Sequence, residues 1–476
     1  MRFEMLINGE WRGARDGRTW DVIDPATEET VAAAPFGGAA EARAAVAAAH
    51  DALPAWRAMT PYARGALLRG TAELILSRLD ALAPIMTREC GKPLGEARAE
   101  WATCAALFDW FAEEGKRAYG RTVPSRHAHK RLLVTHSPVG VVATITAWNF
   151  PAFLPARSWS AALAAGCTVV GRPSELTPLS AMALAGLLHE AGLPPGVVNL
   201  VNGDPAAMGD VFLRDPLVGK LSFTGSQRVG QLLMRAAADN FRRLSLELGG
   251  SAPVLVFADA DAAAAARQVV TGKLRNNGQT CIAPARVYVQ RPLYDDFVAA
   301  ARAEIERQVV GPGLEPGVTL GPLVNAAGRD KVESFVQDAL AQGASAVTGG
   351  QRPAQQPRGY FYAPTLLTNV SAAMRVSCDE VFGPVLPVSP FDTLDEGVRL
   401  ANDTPYGLAG YIVTNDLATA ARAYEGLRFG VIGVNDLVPS TPEAPFGGMG
   451  QSGMGREMGQ EGLHEYLETK FVSIAL

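Results

Sequence analysis

The sequence has few of the residues from which metal and disulfide sites are built. It contains 5 cysteines and 6 histidines in 476 residues. The cysteines are widely scattered, odd in number and without metal-ligand spacing: Cys90, Cys104, Cys167, Cys281 and Cys378. This pattern favours free thiols in a reducing cytoplasm over a disulfide framework or a metal centre, so we expect neither.

The sequence also lacks a strong charge excess and long apolar segments. A net charge of -5 gives no electrostatic footprint for nucleic acid or acidic lipid. The longest apolar runs, such as residues 161–170, are shorter than the roughly 18 residues that span a bilayer. The first ten residues turn polar too soon for a signal peptide. We therefore expect a cytoplasmic protein that binds neither nucleic acid nor membrane.

What remains is the composition of a globular protein, with 48% hydrophobic and 19% charged residues. The length predicts two or three domains. Turn residues at Asn8-Gly9 and Asp24-Pro25 predict short antiparallel strands, and helical periodicity follows over residues 39–56, 62–82 and 95–115.

From residue 139 onward, strand and helix patterns alternate. Apolar strands are predicted at 141–145, 167–170, 197–201 and 221–223, which favours a parallel, doubly wound sheet. A second alternating series from 254 to about 434 predicts a second α/β domain. The alternating segment 130–136 has charged flanks and suits an exposed edge. The tail at 471–476 is predicted to pair with that edge near Leu132.

Cys281 is the candidate nucleophile. It ends the run Arg-Asn-Asn-Gly-Gln-Thr-Cys at 275–281, between a helical segment and a β-branched segment. A single cysteine is usually a small buried hydrophobe. Here the polar, conformationally permissive neighbours favour a partly exposed thiol whose reactivity matters more than its packing. Such a thiol needs a base and an oxyanion donor.

Two residues could supply those groups. Glu247 ends an apolar strand before two glycines, where burial raises a carboxyl pKa and suits a general base; a paired structural glutamate fits equally well. Asn149 stands between a strand and Pro151, where its amide could donate to an oxyanion or cap the helix.

The signs of nucleotide binding are indirect, because no Gly-x-Gly-x-x-Gly follows any predicted strand. Gly225 and Ser226 open a helix whose free N–H groups could bind a phosphate, or serve only as a cap. Glu175 could accept hydrogen bonds from a ribose or be a solvated residue at a helix start. Glu380 and Phe382 could hold a second ribose, unless Phe382 packs in the core.

Taken together, seven motifs in order resemble the NAD(P)-dependent aldehyde dehydrogenase superfamily. They are TAWNFP at 146–151, RPSE at 172–175, FTGS at 223–226, ELGG at 247–250, NGQTC at 277–281, EVFGP at 380–384 and PFGG at 445–448. The similarity covers essentially the whole chain. It implies an α/β aldehyde dehydrogenase-like fold, with two doubly wound parallel-sheet domains and a β-strand oligomerisation arm.

The resemblance also implies a division of the chain. Residues 1–118 and 138–248 would form the NAD-binding domain and 249–455 the catalytic domain. Residues 119–137 and 456–476 would form the arm and tail through which members of the family assemble as dimers or tetramers; we expect a homotetramer.

The implied chemistry is aldehyde oxidation through a thiohemiacetal and a thioester on Cys281. Asn149 would hold the oxyanion, and Glu247 would activate the hydrolytic water. The implied cofactor contacts are Thr146, Trp148, Arg172, Ser174, Glu175, Phe223, Gly225, Ser226, Leu248, Glu380 and Phe382. No metal is expected.

The sequence departs from the family pattern at Arg172, where lysine is usual. Arginine could accept a 2′-phosphate, but the carboxylate of Glu175 would repel it. We therefore predict NAD as the cofactor, with NADP as a weaker alternative.

Within the superfamily the sequence is most similar to succinate-semialdehyde dehydrogenases. Arg157, Arg275 and Ser440 match residues that bind the distal carboxylate in that subfamily, which implies a small anionic aldehyde as substrate. Glutarate semialdehyde, 2-oxoglutarate semialdehyde or a sulfonated aldehyde would satisfy the same charge requirement. The alternative is that both arginines are ordinary helix-surface charges.

Other functional classes fit less well. A cysteine hydrolase needs a histidine near its nucleophile, and none of the six histidines stands in such a motif. A CoA-acylating dehydrogenase would not normally keep the deacylating Glu247. A non-catalytic NAD-binding protein has no need for Cys281 and Glu247 together.

Overall fold

The chain opens with two β-hairpins, which precede four helices and the two strands of a third hairpin. The computed structural model describes residues 2–476. Asn8 (φ 54°) and Gly9 (φ 77°) take left-handed angles in the first turn, as a two-residue hairpin requires. The elements are β1 (Met5–Ile7), β2 (Glu10–Arg12), β3 (Thr19–Ile23), β4 (Thr30–Pro35), α1 (Ala39–Ala58), α2 (Pro61–Ser77), α3 (Leu79–Cys90), α4 (Leu94–Glu114), β5 (Arg121–Val123) and β6 (Lys130–Pro138). The hairpins predicted at Asn8-Gly9 and Asp24-Pro25 are confirmed.

One predicted helix has the wrong extent. The periodicity predicted a single helix over 62–82, but the chain leaves helical angles at Arg78 (φ −120°, ψ 14°) and α3 begins at the next residue. The Arg78 guanidinium at this corner forms a partly exposed ion pair with Glu190. From there α3 continues through Pro84 to Cys90.

The first large sheet has a parallel core whose consecutive strands are joined by helices. Its core elements are β7 (Val141–Ile145), α5 (Phe153–Ala165), β8 (Thr168–Arg172), α6 (Leu179–Glu190), β9 (Val198–Leu200), α7 (Pro205–Arg214), β10 (Val218–Thr224), α8 (Gln227–Ala237) and β11 (Arg243–Glu247). The central strand β7 has β8 and β9 on one side and β10 and β11 on the other. Strand order therefore reverses between β7 and β10, where sheets of this kind bind ligands at the carboxyl ends of their strands.

Both faces of this sheet are covered. Val141, Ala143 and Ile145 pack with α1, α7 and α8, whereas Val142 and Val169 pack in a second cluster with α2 to α6. Alternate residues of one strand thus enter different cores, which explains why β7 and β8 are apolar and buried throughout.

The second large sheet carries the loop of Cys281. Its elements are β12 (Ala252–Val256), α9 (Ala262–Leu274), β13 (Pro284–Gln290), α10 (Tyr294–Glu306), α11 (Ala326–Ala341), β14 (Ser345–Thr348), β15 (Thr365–Thr368), α12 (Arg375–Cys378), β16 (Val385–Phe391), α13 (Leu394–Asn402), β17 (Ala409–Val413), α14 (Leu417–Gly426) and β18 (Val431–Val434). Only β14 runs antiparallel. The loop between α9 and β13 contains Cys281, as the sequence predicted.

The C-terminal segment returns to the first half of the chain. It consists of β19 (Gly453–Met454), α15 (Gly459–His464) and β20 (Leu467–Ala475). β19 pairs with β11 at one edge of the first sheet. β20 pairs antiparallel with β6, bringing Ser473 opposite Leu132, so the predicted pairing of the tail is confirmed. With β5 these strands form a separate three-stranded sheet.

Across residues 2–476, none of the helices combines the length and apolar character needed to cross a membrane.

Candidate active site

One cavity contains every candidate catalytic, cofactor and substrate residue named above. Its volume is about 840 Å³, within the usual range for a small-molecule site. Residues that follow β7, β8, β10 and β11 line one side, and loops of the second half of the chain line the other. Motifs separated by up to about three hundred residues in sequence therefore meet in one place.

The loop that carries Cys281 is held in an unusual backbone conformation. Asn276 (φ 50°), Asn277 (φ 56°) and Gly278 (φ 72°) all take left-handed angles, which asparagine and glycine tolerate best. A Cβ on Gly278 would approach the carbonyl oxygen of Gly383 to 2.2 Å, so only glycine fits there. The Cys281 side chain lies partly buried at the end of this turn.

Asn149 is fixed against the same loop. Its side-chain Nδ2 donates to the backbone carbonyl oxygen of Gln279 at 3.0 Å. The backbone carbonyl oxygen of Asn149 accepts from Nδ2 of Asn276 at 2.8 Å. The amide carries two N–H bonds, and the second has no acceptor among the described residues. It is thus available to a substrate oxygen in the cavity.

Glu247 is buried at the carboxyl end of β11. Neither of its carboxylate oxygens has a hydrogen-bond partner within residues 2–476. Burial raises the pKa of Glu247 well above its usual value, and the nearby charge of Arg157 only partly opposes this shift. The sequence predicted this direction. A carboxyl with a raised pKa and no fixed partner is suited to exchange protons with water.

The Cys281 thiol is also disfavoured as an anion. Burial raises its pKa to about 12, which Arg157 opposes and Glu247 reinforces. Without a ligand the thiol is therefore neutral at physiological pH, and its reactivity depends on a group that takes its proton.

At the opposite end of the cavity, β8 and α8 present an arginine, a carboxylate and a helix N-terminus. Arg172 donates through Nη2 to Glu175 at 2.6 Å and to the carbonyl oxygen of Gly203 at 2.7 Å. Its buried Nε has no partner among the described residues. Ser226 caps α8 by accepting from the N–H of Val229, at 3.4 Å.

The loop after α12 closes the middle of the cavity. Glu380 accepts from the N–H of Gly250 at 3.1 Å, and Lys331 donates to the Glu380 carbonyl oxygen at 2.9 Å. Phe382 has a left-handed φ of 58°, and its ring meets that of Trp148 edge-on at 5.5 Å. Phe382 therefore faces the cavity instead of serving only the core.

Two arginines and several aromatic rings form the remaining wall. The Arg157 guanidinium lies 4.8 Å from the Phe446 ring, and the Arg275 guanidinium lies 5.2 Å from the Phe150 ring. Arg157 is buried and forms an ion pair with the buried Glu457, so it is not a helix-surface charge. Arg275 is partly exposed and has no carboxylate within ion-pair distance among the described residues. Ser440 completes this wall.

Comparisons with known proteins match this geometry. The profile of the Aldehyde dehydrogenase family matches residues 11–472. The succinate-semialdehyde dehydrogenase [NADP(+)] GabD of Escherichia coli (strain K12) is 46% identical over 100% of this chain and 98% of its own length. The chain belongs to the aldehyde dehydrogenase family.

Other members of the aldehyde dehydrogenase family are similarly close. The glutarate-semialdehyde dehydrogenase of Pseudomonas putida (strain KT2440) is 44% identical over 100% of this chain and 98% of its own. The crystal structure of succinate-semialdehyde dehydrogenase from Burkholderia pseudomallei is 46% identical, with a TM-score of 0.98 over 100% of this chain and 98% of that one. The predicted aldehyde dehydrogenase-like fold is confirmed, and the chain is an NAD(P)-dependent aldehyde dehydrogenase.

The residues present fit a nicotinamide dinucleotide. The cavity lies at the point where the strand order of the first sheet reverses, and the N-terminus of α8 opens into it. The unpartnered Nε of Arg172 and the carboxylates of Glu175 and Glu380 match the mixture of phosphate and hydroxyl groups in such a cofactor. No cluster of three or more His, Cys, Asp or Glu able to hold a metal occurs within residues 2–476.

Sequence reasoning missed several residues of this aldehyde dehydrogenase site. Glu100 and Lys331 line the cavity, and Glu457 pairs with Arg157 behind it. Lys92, buried beneath Phe150, contacts the Asn149 segment. A lysine between glycine and proline is typical of an exposed turn, so no local signal could have identified it.

Proposed function

We propose that this aldehyde dehydrogenase oxidises a small aldehyde with an anionic distal group, succinate semialdehyde to succinate, using NAD. The observation that carries the proposal is that Arg157 and Arg275 line the same cavity as Cys281. Guanidinium groups bind carboxylates through charged, often paired hydrogen bonds. The names of the Escherichia coli and Pseudomonas putida relatives, both acting on semialdehydes of dicarboxylic acids, support the same substrate class.

In the proposed mechanism, the Cys281 thiol gives its proton to water, and the thiolate attacks the aldehyde carbon to form a thiohemiacetal. Its oxygen accepts from the free amide N–H of Asn149 and from the backbone N–H of Cys281. A bound nicotinamide would supply the hydride acceptor that conversion of the thiohemiacetal to a thioester on Cys281 requires. Glu247 then removes a proton from the attacking water, and the carboxylic acid leaves.

For the cofactor we assign the two ends of the cavity to the two halves of the dinucleotide. Arg172, Ser174, Glu175, Phe223, Gly225 and Ser226 would hold the adenosine side, and Thr146, Trp148, Leu248, Glu380 and Phe382 the nicotinamide side. Arg172 already forms an ion pair with Glu175, so its charge is not free to bind a 2′-phosphate. The Glu175 carboxylate would also repel that phosphate. This arrangement supports NAD, with NADP as the weaker cofactor; a kinetic preference for NADP would contradict it.

We also propose the division of the chain stated above, with residues 1–118 and 138–248 binding NAD and 249–455 carrying the nucleophile. The three-stranded sheet of residues 119–137 and 456–476 would join copies of the chain into a dimer or tetramer in the cytoplasm. Phe471 (63% exposed) and Ile474 (40% exposed) on β20 support this interface.

The substrate assignment is tested by NADH formation with succinate semialdehyde and with butanal, its uncharged counterpart. Arg275→Met should lower kcat/KM for succinate semialdehyde by about 100-fold relative to butanal, because a charged hydrogen bond is lost. Arg157→Met should impair both substrates, because Glu457 loses its counter-charge behind the site. Arg267→Met, an exposed arginine of α9, is the control.

If Arg275→Met lowered kcat/KM equally for succinate semialdehyde and butanal, Arg275 would not bind the distal charge of the substrate. Faster turnover of glutarate semialdehyde or a sulfonated aldehyde would move the assignment to another anionic substrate. Acceleration by CoA would indicate an acylating dehydrogenase instead.

A further inference from the structure

Two buried charged residues lie beneath the site and have no role in the mechanism above. Lys92 stands between α3 and α4, and Glu100 lies on α4. Their side chains form an ion pair and are 1% and 2% exposed. A buried ion pair adds little net stability, because desolvation offsets the attraction between the charges. Its contacts therefore need another explanation.

The ammonium of Lys92 is directed at the oxyanion segment. It donates to the carbonyl oxygen of Asn149 at 2.9 Å and lies 4.1 Å from the centre of the Phe150 ring. Together with Nδ2 of Asn276, it gives the Asn149 carbonyl two donors. The peptide group that carries the Asn149 side chain is thereby held from two directions.

The carboxylate of Glu100 holds the other end of the same segment. Its Oε1 accepts from the N–H groups of Ala152 and Phe153, each at 3.0 Å, where α5 begins without a side-chain cap of its own. Its Oε2 pairs with Lys92. The pair thus spans residues 149–153 and fixes both flanks of the short turn after β7.

The same helix also holds the nucleophile loop. Glu96, one turn before Glu100 on α4, accepts from the N–H of Asn276 at 2.8 Å. Asn149 in turn donates to Gln279, two residues before Cys281. One face of α4 therefore sets the position of the oxyanion donor relative to the sulfur.

We propose that Lys92 and Glu100 are positioning residues that keep the Asn149 amide aimed at the oxyanion formed on Cys281. The inference rests on the proposed roles of Asn149 and Cys281. Lys92 does not line the cavity, and Glu100, which does, has both carboxylate oxygens engaged within the protein, so the pair acts through the 149–153 turn. A displacement of about 1 Å in such a donor lowers a rate by on the order of 100-fold.

The test uses p-nitrophenyl acetate, which acylates a thiol through the same kind of oxyanion and requires no nicotinamide. The first-turnover release of p-nitrophenolate is measured with enzyme in excess. Lys92→Met leaves Glu100 without a counter-charge, so the paired variant Lys92→Met/Glu100→Gln is made beside it. The single variant and the paired variant are each made in the parent chain and in a chain that also carries Asn149→Ala.

We expect Asn149→Ala to slow acylation roughly 10² to 10³-fold. The paired variant should slow it about 10 to 100-fold in the parent chain but less than about threefold in Asn149→Ala, since residues that act as one unit are not additive. The same loss in both backgrounds, or no loss in the parent, would overturn the inference.

A matched control separates positioning from general stability. Lys220 is also fully buried, pairs with Glu465 and donates to a backbone carbonyl oxygen at 2.9 Å, but it does not line the cavity. Lys220→Met/Glu465→Gln should lower the melting temperature while its effect on acylation remains equal in both Asn149 backgrounds. If it reproduces the non-additivity of the Lys92 pair, the inference fails.

Different results would exclude the oxyanion role of Asn149 and the positioning role of Lys92 and Glu100. A normal acylation rate in Asn149→Ala removes the oxyanion role itself, and the role of Lys92 and Glu100 with it. A slow Asn149→Ala with additive losses removes only the positioning role.

Discussion

At the residue scale, Cys281 and Glu247 both lie where their charged forms are poorly solvated. Burial raises the pKa of each, and Arg157 offsets the shift only in part. Burial thus disfavours the charged form of both groups, so the proposed chemistry depends on proton transfer at each of them.

We expect Glu247→Gln to retain a first-turnover burst of NADH and to lose later turnovers by roughly 10² to 10⁴-fold, because only hydrolysis of the thioester needs the base. In the parent chain, turnover should increase as the pH rises through the raised pKa of Glu247, since the deprotonated form is the base. The variant should lose that rise. Stopped-flow NADH absorbance across pH measures both effects.

Asn149→Ala is the matched contrast for this experiment, since it should diminish the burst itself. If Glu247→Gln lost the burst and the steady rate in equal proportion, Glu247 would act before the thioester forms.

The site residues that could be predicted from the sequence are those with a recognisable pattern in their immediate neighbours. Cys281, Glu247 and Asn149 carry local patterns that identify candidate roles. Lys92 does not, because its contact with Asn149 is formed only in the fold. The sequence named Arg157 through the resemblance, but not its ion pair with Glu457, which lies far away along the chain. A buried charged residue can therefore be recognised only when the fold shows which residue it pairs with.

At the element scale, helix α6 begins on a carboxylate from another helix. Glu89 of α3 is fully buried and accepts from the N–H groups of Leu179 and Ser180 at 2.7 and 2.8 Å. Like Glu100 of α4, which accepts from the N–H groups at the start of α5, Glu89 satisfies helix N–H groups that would otherwise lack acceptors. The corner at Arg78, which the sequence did not predict, also faces α6, where the guanidinium forms a partly exposed ion pair with Glu190.

Burial raises the pKa of Glu89 to about 7. Because the folded chain holds this proton more tightly than the unfolded chain, the stabilisation is complete at acid pH and is lost as pH rises toward 7. Relative to Glu89→Gln, the parent should lose up to about 3 kcal/mol of unfolding free energy between pH 5 and 8. Urea unfolding at several pH values measures the difference; a constant difference would contradict the assignment.

At the scale of the whole molecule, the sheet of β5, β6 and β20 stands apart from the two large sheets. The sequence predicted that the tail pairs with the exposed edge of the alternating segment 130–136, but it did not predict the length of nine residue pairs. It could not predict which face is covered, since that depends on contacts beyond this chain. The exposed Phe471 and Ile474 are the basis of the proposed assembly.

We expect Phe471→Asp/Ile474→Asp to dissociate the assembly, because the two substitutions place negative charges on both faces of β20, the strand at which we propose that copies of the chain meet. Sedimentation velocity should show a smaller species than the parent chain. Leu417→Asp, which alters a side chain 84% exposed on α14, should leave the sedimentation coefficient unchanged. A parent chain that sediments as a monomer would remove the proposal.

The pairing of β19 with β11 has a consequence for biosynthesis. The first sheet obtains this edge strand from residues 453–454, after the entire second sheet. During translation about 200 residues are therefore added after β11 before the first sheet can be completed. Until then β11, which ends in Glu247, has an open hydrogen-bonding edge, and premature termination before residue 453 leaves an aggregation-prone fragment.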